Sequence, residues 1–258
     1  MVTLEKVTKI FKKNRVVDSV SLEFPESAVS VLAGPAGSGK TILLRLLSGE
    51  LKPDSGRIAA KNRRSAAYSD GNADIFQNFS FSDLTAVWAL MYPGFDAEKF
   101  KSLLSKNGIE WNARISSMSQ DVKNRLSDSL VFASGAGILI FDEPLQHVAA
   151  EMKPEFMDLL RESAENGRTV IVATQDITEF EPVVQYLSVI NNGSIVVSDE
   201  ASRLLSSHRL FPGATTISPD FRVIGPVVDE RLVETEDEIG RKATLKEIVL
   251  GYVNGSSS

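Results

Sequence analysis

A glycine-rich segment in the first fifth of the chain carries the clearest chemistry. Its residues are Gly34, Pro35, Ala36, Gly37, Ser38, Gly39, Lys40 and Thr41. The apolar stretch VSVLA precedes this segment, and the helical pattern TILLRLLSG follows it. Glycines at this spacing let backbone N–H groups turn inward around phosphate oxygens at the positive end of a helix. The segment therefore predicts a phosphate-binding loop in which Lys40 reaches the β- and γ-phosphates and Thr41 holds Mg²⁺.

A pair of carboxylates much further along the chain is the second chemical signal. The apolar stretch GILIF runs directly into Asp142 and Glu143. A carboxylate at the end of a strand can hold the hydration shell of Mg²⁺, which is the role expected of Asp142. The adjacent Glu143 can orient and deprotonate an attacking water. Together with the phosphate-binding loop, the pair predicts a site that hydrolyses a nucleoside triphosphate.

A third polar group follows another apolar stretch. The segment TVIVATQD rises through apolar residues and stops abruptly on Thr174, Gln175 and Asp176. A buried strand that ends in polar groups often presents them to a ligand, because the carboxyl ends of such strands line the ligand crevice of open α/β sheets. Gln175 therefore either contacts a ligand or simply ends a strand without touching one.

Composition and charge limit the class of protein. The 258 residues are 43% hydrophobic and 24% charged, which indicates a globular chain with a sizeable core. A net charge of -6 argues against a general nucleic-acid binder. The lack of cysteine excludes disulfides and cysteine metal sites and favours a reducing compartment. The apolar runs are shorter than the roughly 18 residues of a membrane span, so we expect a cytosolic protein or one docked on a membrane protein from that side.

Strand and helix patterns alternate along the chain and predict an α/β fold. Residues 2–24 show the period of two that is typical of an antiparallel hairpin, and residues 83–133 have a helical pattern. Buried strands are expected before the phosphate-binding loop, before Asp142 and before Thr174. We interpret residues 61–77 as a polar connection without regular structure.

With these motifs the chain resembles the ATP-binding subunits of ABC transporters. The resemblance rests on GPAGSGKT, LKPDSGRI, GILIFDEP, TVIVATQD and the closing hairpin YLSVINNGSIVVS. It implies a P-loop NTPase core with a mostly parallel sheet, an N-terminal antiparallel β layer and an inserted α-helical subdomain. The nucleotide-binding domain would span residues 1–210. Residues 211–258 would form an extension that ends in a short helix and a tail disordered from Asn254.

The resemblance also implies an activity and partners. Such subunits bind ATP with Mg²⁺ and dimerise head to tail, so that each ATP lies between one subunit's phosphate-binding loop and the other's signature helix. ATP-driven closure of the dimer drives permeases in the membrane, which places the chain on the cytoplasmic side of the cell membrane. The segments MYPGFD and ATLKEIVLGYV resemble the bacterial exporter branch often paired with ABC-2 type permeases. Cargo contacts in this family lie mainly in the membrane subunits, so the cargo stays open.

Three further site residues follow from the resemblance. Phe11 falls where an aromatic ring stacks on adenine, although it could equally be a core aromatic. Gln77 is the candidate for the glutamine that touches Mg²⁺ and senses the permease, with an ordinary loop glutamine as the alternative. Gln175 occupies the position of a histidine that bonds the γ-phosphate. Glutamine can donate a hydrogen bond but cannot become positively charged, so the resemblance predicts slow hydrolysis.

The signature segment departs from the family pattern. Without a gap, Leu-Ser-Gly-Gly-Gln falls on Met118 to Val122, and the family's later arginine falls on Arg125. Ser119 is retained as a helix N-cap and as a donor to the partner's γ-phosphate. Asp121 replaces the second glycine and opposes that phosphate, at a cost on the order of 4 kcal/mol for two unit charges about 4 Å apart at a dielectric of about 20. The signature is therefore expected to bind the partner's ATP weakly.

The loop after Glu143 departs as well. The family expects an aspartate that contacts the opposite subunit where this chain has Ala149. His147 nearby is interpreted as an exposed loop histidine. These losses leave two assemblies open, a heterodimer with a different ATPase subunit and a homodimer with two weak sites. A regulatory or immunity module, in which ATP binding without turnover controls a membrane partner, remains an alternative function.

Overall fold

An antiparallel sheet forms the N-terminal layer of the computed structural model, which describes residues 1–60, 66–146 and 148–256. Strand β1 (Val2–Phe11) pairs on one side with β2 (Asn14–Phe24) and on the other with β4 (Ser55–Ala60). Alternate side chains of the hairpin, such as those of Val20 and Leu22, are buried. The hairpin predicted from the period-2 pattern is thus confirmed.

A six-stranded sheet lies at the centre of the fold. Its order is β5-β6-β7-β3-β8-β9, and all neighbouring strands are parallel except β9, which runs antiparallel to β8. The strands are β3 (Ala28–Ala33), β5 (Ala66–Ser69), β6 (Ile138–Asp142), β7 (Thr169–Thr174), β8 (Tyr186–Asn191) and β9 (Ser194–Glu200). The mostly parallel sheet is confirmed. Its order places the carboxyl ends of β6, β7 and β3 side by side.

Both faces of this sheet are covered by other elements. Successive residues of a strand point to opposite faces and therefore pack into two different hydrophobic cores. Ile138 and Ile140 of β6 pack with the N-terminal layer and with helix α1 (Lys40–Ser48). Leu139 and Phe141 pack into the larger core on the opposite face. A strand buried on both faces reads as a continuous apolar run, which explains the pattern GILIF.

Three helices form the inserted helical region between β5 and β6. They are α2 (Phe81–Met91), α3 (Ala97–Lys106) and α4 (Gln120–Ala133). Ser80 caps α2 by accepting from the backbone N–H of Asp83, and Asp96 caps α3 in the same way from Lys99. The helical insertion is confirmed. Helix α5 (Lys153–Glu165) then follows β6 and packs against the central sheet.

Strand β5 was not predicted. Its residues belong to the segment 61–77 that we interpreted as a polar connection, and residues 61–65 of that segment lie outside the described residues. Ala67 and Ser69 are buried, and β5 pairs in parallel with β6, Ser69 opposite Phe141. The interpretation was wrong because a four-residue edge strand with two hydroxyl side chains has no apolar run to reveal it.

A second, four-stranded antiparallel sheet lies near the C-terminus, in the order β11-β12-β10-β13. Its strands are β10 (His208–Pro212), β11 (Arg222–Val227), β12 (Glu230–Glu234) and β13 (Arg241–Lys242), flanked by α6 (Ala201–Ser207) and α7 (Leu245–Gly255). The predicted boundary at residue 210 lies inside β10. The prediction of disorder from Asn254 was wrong for residues 254–256, because Asn254 belongs to α7 and donates to the backbone oxygen of Pro226 at 2.9 Å. Residues 257–258, to which the prediction also applied, lie outside the described residues. Within the described ranges, no helix is long and apolar enough to cross a membrane.

Candidate functional site

The glycine-rich loop connects the carboxyl end of β3 to the first residue of α1. Gly39, immediately before the helix, has a φ of 108°, a conformation that residues with a Cβ rarely adopt. At Gly34 the constraint is steric, since a Cβ there would overlap with the backbone oxygen of Ile190. The loop is thus closely packed against β8, and the N–H groups of the first turn of α1, which have no partner within the helix, lie at the end of the loop.

Lys40 is held inside this loop. Its Nζ donates to the backbone oxygens of Gly34 at 2.8 Å and Pro35 at 3.1 Å, and it lies 3.5 Å from Oε1 of Glu143. The residue is only 6% exposed. Both carbonyl contacts are made to the loop itself, so phosphate oxygens that enter the loop can replace them as partners of the same ammonium group.

Glu143 is fixed by its neighbours on β7. Its backbone N–H donates to the backbone oxygen of Ala173 at 2.9 Å, and its Oε2 accepts from the backbone N–H of Gln175 at 3.1 Å. The φ of Glu143 is 50°, a left-handed conformation that is costly for a residue with a side chain. Because such strain persists only where the surroundings impose it, the carboxylate is directed toward the loop by the structure around it.

Asp142 lies at the end of β6, partly buried beside the loop. Burial raises the pKa of its carboxyl, and the Thr41 hydroxyl opposes this rise. One oxygen, Oδ2, accepts from the Tyr68 hydroxyl at 3.4 Å, whereas the buried Oδ1 has no protein partner. A carboxylate oxygen left free beside a hydroxyl suits the hydration shell of Mg²⁺, so Asp142 and Thr41 fit this ion. In the ranges described, no cluster of three or more His, Cys, Asp or Glu residues suggests another metal site.

Lys40, Thr41 and Glu143 share one pocket of about 250 Å³ at the mouth of the loop, whereas Gly34, Pro35, Ser38 and Asp142 lie outside its lining. It is lined by Val16, Ala36, Gly37, Gly39, Lys40, Thr41, Ile42, Glu143 and Gln175. The structure thus brings the predicted loop together with both the predicted general base and the polar residue that ends β7. The arrangement combines a cation, a hydroxyl and a carboxylate around a space open to solvent, which suits the binding and hydrolysis of a phosphate ester.

Phe11 lies outside this pocket lining. It ends β1, its side chain is 41% exposed, and the Lys9 ammonium lies 5.5 Å from its ring centroid. It is therefore not the core aromatic of the alternative interpretation. Val16, on the other strand of the same hairpin, lines the pocket instead, and its backbone oxygen packs against Gly39. Nothing in the local sequence distinguishes Val16, because its role depends on the packing of β2 against the loop.

Gln77 also lies apart from the pocket lining. It is exposed at the end of a 3₁₀ turn, Asp74–Phe76, where its backbone N–H donates to Asp74. The residue that directly follows β5, beside the end of β6, is Asp70, whose carboxylate lies 3.5 Å from the Arg45 guanidinium.

The start of α4 carries a closed network of side chains. The Ser119 hydroxyl donates to Oδ1 of Asp121 at 2.5 Å, and Oδ2 of Asp121 accepts from Arg125 at 3.0 Å. The hydrogen bond from Ser119 and the Arg125 charge hold the pKa of Asp121 below its usual value. Ser119 occupies the predicted N-cap position of α4, but its side chain makes no cap hydrogen bond there. The Arg125 charge also offsets part of the repulsion we expected between Asp121 and a phosphate.

The loop beyond Glu143 offers no charged group at the position expected of an aspartate. Ala149 is exposed and precedes the 3₁₀ turn Ala150–Met152. His147 lies outside the described residues, so its interpretation as an exposed loop histidine stays a prediction.

Comparison with known proteins identifies relatives of this site. The model of a family described as ABC transporter matches residues 17–146, which include the phosphate-binding loop, α4 and Glu143. The chain is 28% identical over 214 residues to the glutamine transport ATP-binding protein GlnQ of Escherichia coli, covering 76% of this chain and 89% of that protein. It is 27% identical over 222 residues to the Nod factor export ATP-binding protein I of Paraburkholderia xenovorans, covering 80% of this chain and 73% of that protein.

The fold has a solved counterpart as well. A dimeric bacterial ABC transporter cassette superposes with a TM-score of 0.67 at 21% identity, covering 78% of this chain and 98% of that one. The P-loop NTPase fold predicted from the sequence is confirmed by this likeness.

Proposed function

We propose that this chain, which belongs to the ABC transporter family as an ATP-binding subunit, powers a bacterial exporter by ATP-driven dimer closure. Residues 1–210 act as its nucleotide-binding domain, on the cytoplasmic side of the membrane and docked on permease subunits. The observation that carries the proposal is the meeting of Lys40, Thr41, Glu143 and Gln175 around one pocket. The exporter direction is supported by the resemblance of MYPGFD and ATLKEIVLGYV to that branch, while the relatives named above include both a transport and an export protein.

ATP binding is assigned to the loop. The backbone N–H groups at the start of α1 bind phosphate oxygens, and the Lys40 ammonium exchanges its carbonyl partners for the β- and γ-phosphates. Thr41 and Asp142 hold Mg²⁺, which neutralises charge on the phosphates when bound. Adenine recognition is assigned to the hairpin of β1 and β2, where Val16 lines the pocket and the exposed Phe11 ring is available for stacking.

Hydrolysis is assigned to Glu143, which accepts a proton from the attacking water. Its carboxylate is already oriented by the backbone N–H of Gln175 and by Lys40. The Gln175 side chain can donate to the γ-phosphate through its amide nitrogen, but it cannot supply the positive charge of a histidinium. We therefore infer slow turnover.

The partner's ATP would meet the start of α4. There the Ser119 hydroxyl is engaged by Asp121, so a phosphate must compete with an ion-paired carboxylate for that donor. Poor binding at this end favours a heterodimer, in which a different ATPase subunit provides an intact signature for this chain's ATP. Gln77 lies outside the pocket lining in this structure. Its proposed contacts with Mg²⁺ and the permease would therefore form only when the dimer closes.

The same network supports an alternative function. If the engaged Ser119 prevents productive closure, ATP binding alone would control a membrane partner, as in a regulatory or immunity module. The two functions differ in turnover while sharing the phosphate-binding loop.

Phosphate release separates them. The purified chain is mixed with MgATP, alone and with the membrane proteins that co-purify with it from its host, and phosphate is followed by a coupled assay. Release that disappears in Glu143→Gln is expected for a transport ATPase. Binding of ATP without release above the Glu143→Gln control in both states would refute the ATPase and support the regulator.

A further inference from the structure

Tyr68 connects the edge strand β5 to the ligand-binding carboxylate of β6. It lies directly beside Ile140 in the parallel pair β5·β6, two residues before Asp142. Its hydroxyl donates to Oδ2 of Asp142 at 3.4 Å. Tyr68 is partly buried, and burial together with the nearby Asp142 charge raises the pKa of its phenol far above the usual value. A carboxylate oxygen only accepts, so the phenol is the donor in this hydrogen bond.

Arg45, on α1, interacts with the same tyrosine. Its interaction with Tyr68 is the largest cause of the raised pKa of its guanidinium. The guanidinium also lies 3.5 Å from Asp70 and 3.8 Å from Glu50, which keeps it in place between α1 and the end of β5. A cation next to the phenolic oxygen polarises the O–H bond and strengthens its donation to a carboxylate. Arg45, Tyr68 and Asp142 thus form a chain of interactions directed at one oxygen.

We propose that Tyr68, supported by Arg45, is a positioning residue that fixes the rotation of the Asp142 carboxylate so that Oδ1 faces the Mg²⁺ held with Thr41. This role rests on the proposed ATP site. The two carboxylate oxygens are used differently, since Oδ2 accepts from Tyr68 and the buried Oδ1 is left without a protein partner. Groups that orient a ligand in this way commonly change metal affinity by about 10- to 100-fold when they are removed.

A second tyrosine provides a matched control. Tyr92, in the residue after α2, also bonds to β5, but its hydroxyl donates to the backbone oxygen of Ala66 at 3.0 Å. Its phenol is likewise partly buried, and burial raises its pKa. Removing either hydroxyl deletes one hydrogen bond at the same strand, whereas only the Tyr68 hydroxyl reaches Asp142.

The test measures affinity for the fluorescent analogue mant-ATP, with excess Mg²⁺ and with EDTA, for the full chain. The Tyr68→Phe variant is expected to weaken binding about tenfold in Mg²⁺ and to leave binding in EDTA unchanged. Tyr92→Phe is expected to match the wild type in both buffers. Thermal unfolding of each variant shows whether the fold is kept.

Arg45→Met gives an independent route if Tyr68→Phe fails to fold. It should weaken binding in Mg²⁺ by about threefold, and the double variant should be no weaker than Tyr68→Phe, because coupled residues are not additive. Equal losses in Mg²⁺ and EDTA, an unchanged Tyr68→Phe, or the same loss in Tyr92→Phe would each overturn the role of Tyr68. A wild type that binds no mant-ATP would instead refute the proposed ATP site, and this role with it.

Discussion

The backbone N–H of Gln175 donates a hydrogen bond of 3.1 Å to Oε2 of Glu143. The proposed general base is therefore oriented by the main chain directly after β7, and this bond does not depend on which side chain occupies position 175. The residue can lose its amide group without releasing Glu143.

From this we predict that Gln175→Ala lowers phosphate release by less than about tenfold, whereas Glu143→Gln lowers it by at least about 100-fold, in the range typical of a lost general base. Gln175→His should raise release several-fold, because an imidazole can donate to the γ-phosphate and carry a positive charge. Single-turnover phosphate release with MgATP measures all three. A Gln175→Ala variant as inactive as Glu143→Gln would show that the side chain is essential, and would contradict the prediction that the backbone bond to Glu143 suffices.

Lys40 gives a prediction about binding. Lys40→Met keeps the apolar stem that lies in the loop and removes the ammonium, so mant-ATP affinity should fall by about 100-fold, the value of strong hydrogen bonds to a charged group. Lys52→Met, at an exposed position beyond the same helix, removes one positive charge without touching the loop and should bind normally. Equal affinities for the two variants would exclude Lys40 as the phosphate ligand.

The network at the start of α4 predicts a gain of function. In a Glu143→Gln background, which retains ATP, Asp121→Gly should strengthen MgATP-dependent dimerisation by about tenfold, because it frees the Ser119 hydroxyl and removes a like charge facing phosphate. Asp121→Asn serves as control, since it removes the charge but keeps a side chain at the helix terminus. Sedimentation equilibrium over a range of protein concentrations gives the dimer constants. Weaker dimerisation of Asp121→Gly would mean that Asp121 supports the interface.

Sequence patterns located the chemistry that depends on long apolar runs. This chemistry lies at or directly after the ends of strands buried on both faces, at Gly34 to Thr41, Asp142 with Glu143, and Gln175. Because the apolar run of such a strand stops where the strand ends, the sequence shows where these residues lie. Tyr68 and Val16 could not be located in this way. Tyr68 belongs to a strand of four residues in which two alanines precede a tyrosine and a serine, so no apolar run marks it. Val16 lines the pocket only because one layer packs on another. Ser119 was correctly predicted at the N-terminus of α4. Its hydrogen bond to Asp121 depends on the rotamers of both side chains, which no local sequence pattern specifies.

A buried carboxyl on α4 makes stability depend on pH. Burial raises the pKa of Asp128 from 3.8 to about 7, although the 2.6 Å hydrogen bond from Ser69 opposes this rise. Between these two values the folded chain binds more protons at this residue than the unfolded chain does. Its contribution to the free energy of unfolding therefore falls as the pH rises from 3.8 to about 7.

Asp128→Asn keeps an acceptor for Ser69 and removes this dependence. Its gain in the free energy of unfolding over the wild type should be larger at pH 8 than at pH 5, by about 2 kcal/mol. Urea denaturation at both values measures the difference, and Asp220→Asn, at an exposed position, controls for the loss of a carboxylate elsewhere. A gain that is the same at both pH values would show that Asp128 is ionised in the folded chain throughout.

Strand β5 presents consecutive residues to opposite sides of the sheet, Tyr68 toward Asp142 and Ser69 toward Asp128. In a strand, a shift of pairing by one residue exchanges the two faces. A single insertion or deletion within β5 would therefore break both hydrogen bonds at once, one to Asp142 at the end of β6 and one to Asp128 on α4. The four residues of this edge strand thus connect the carboxylate at the end of β6 to α4, and both connections depend on the length of the strand.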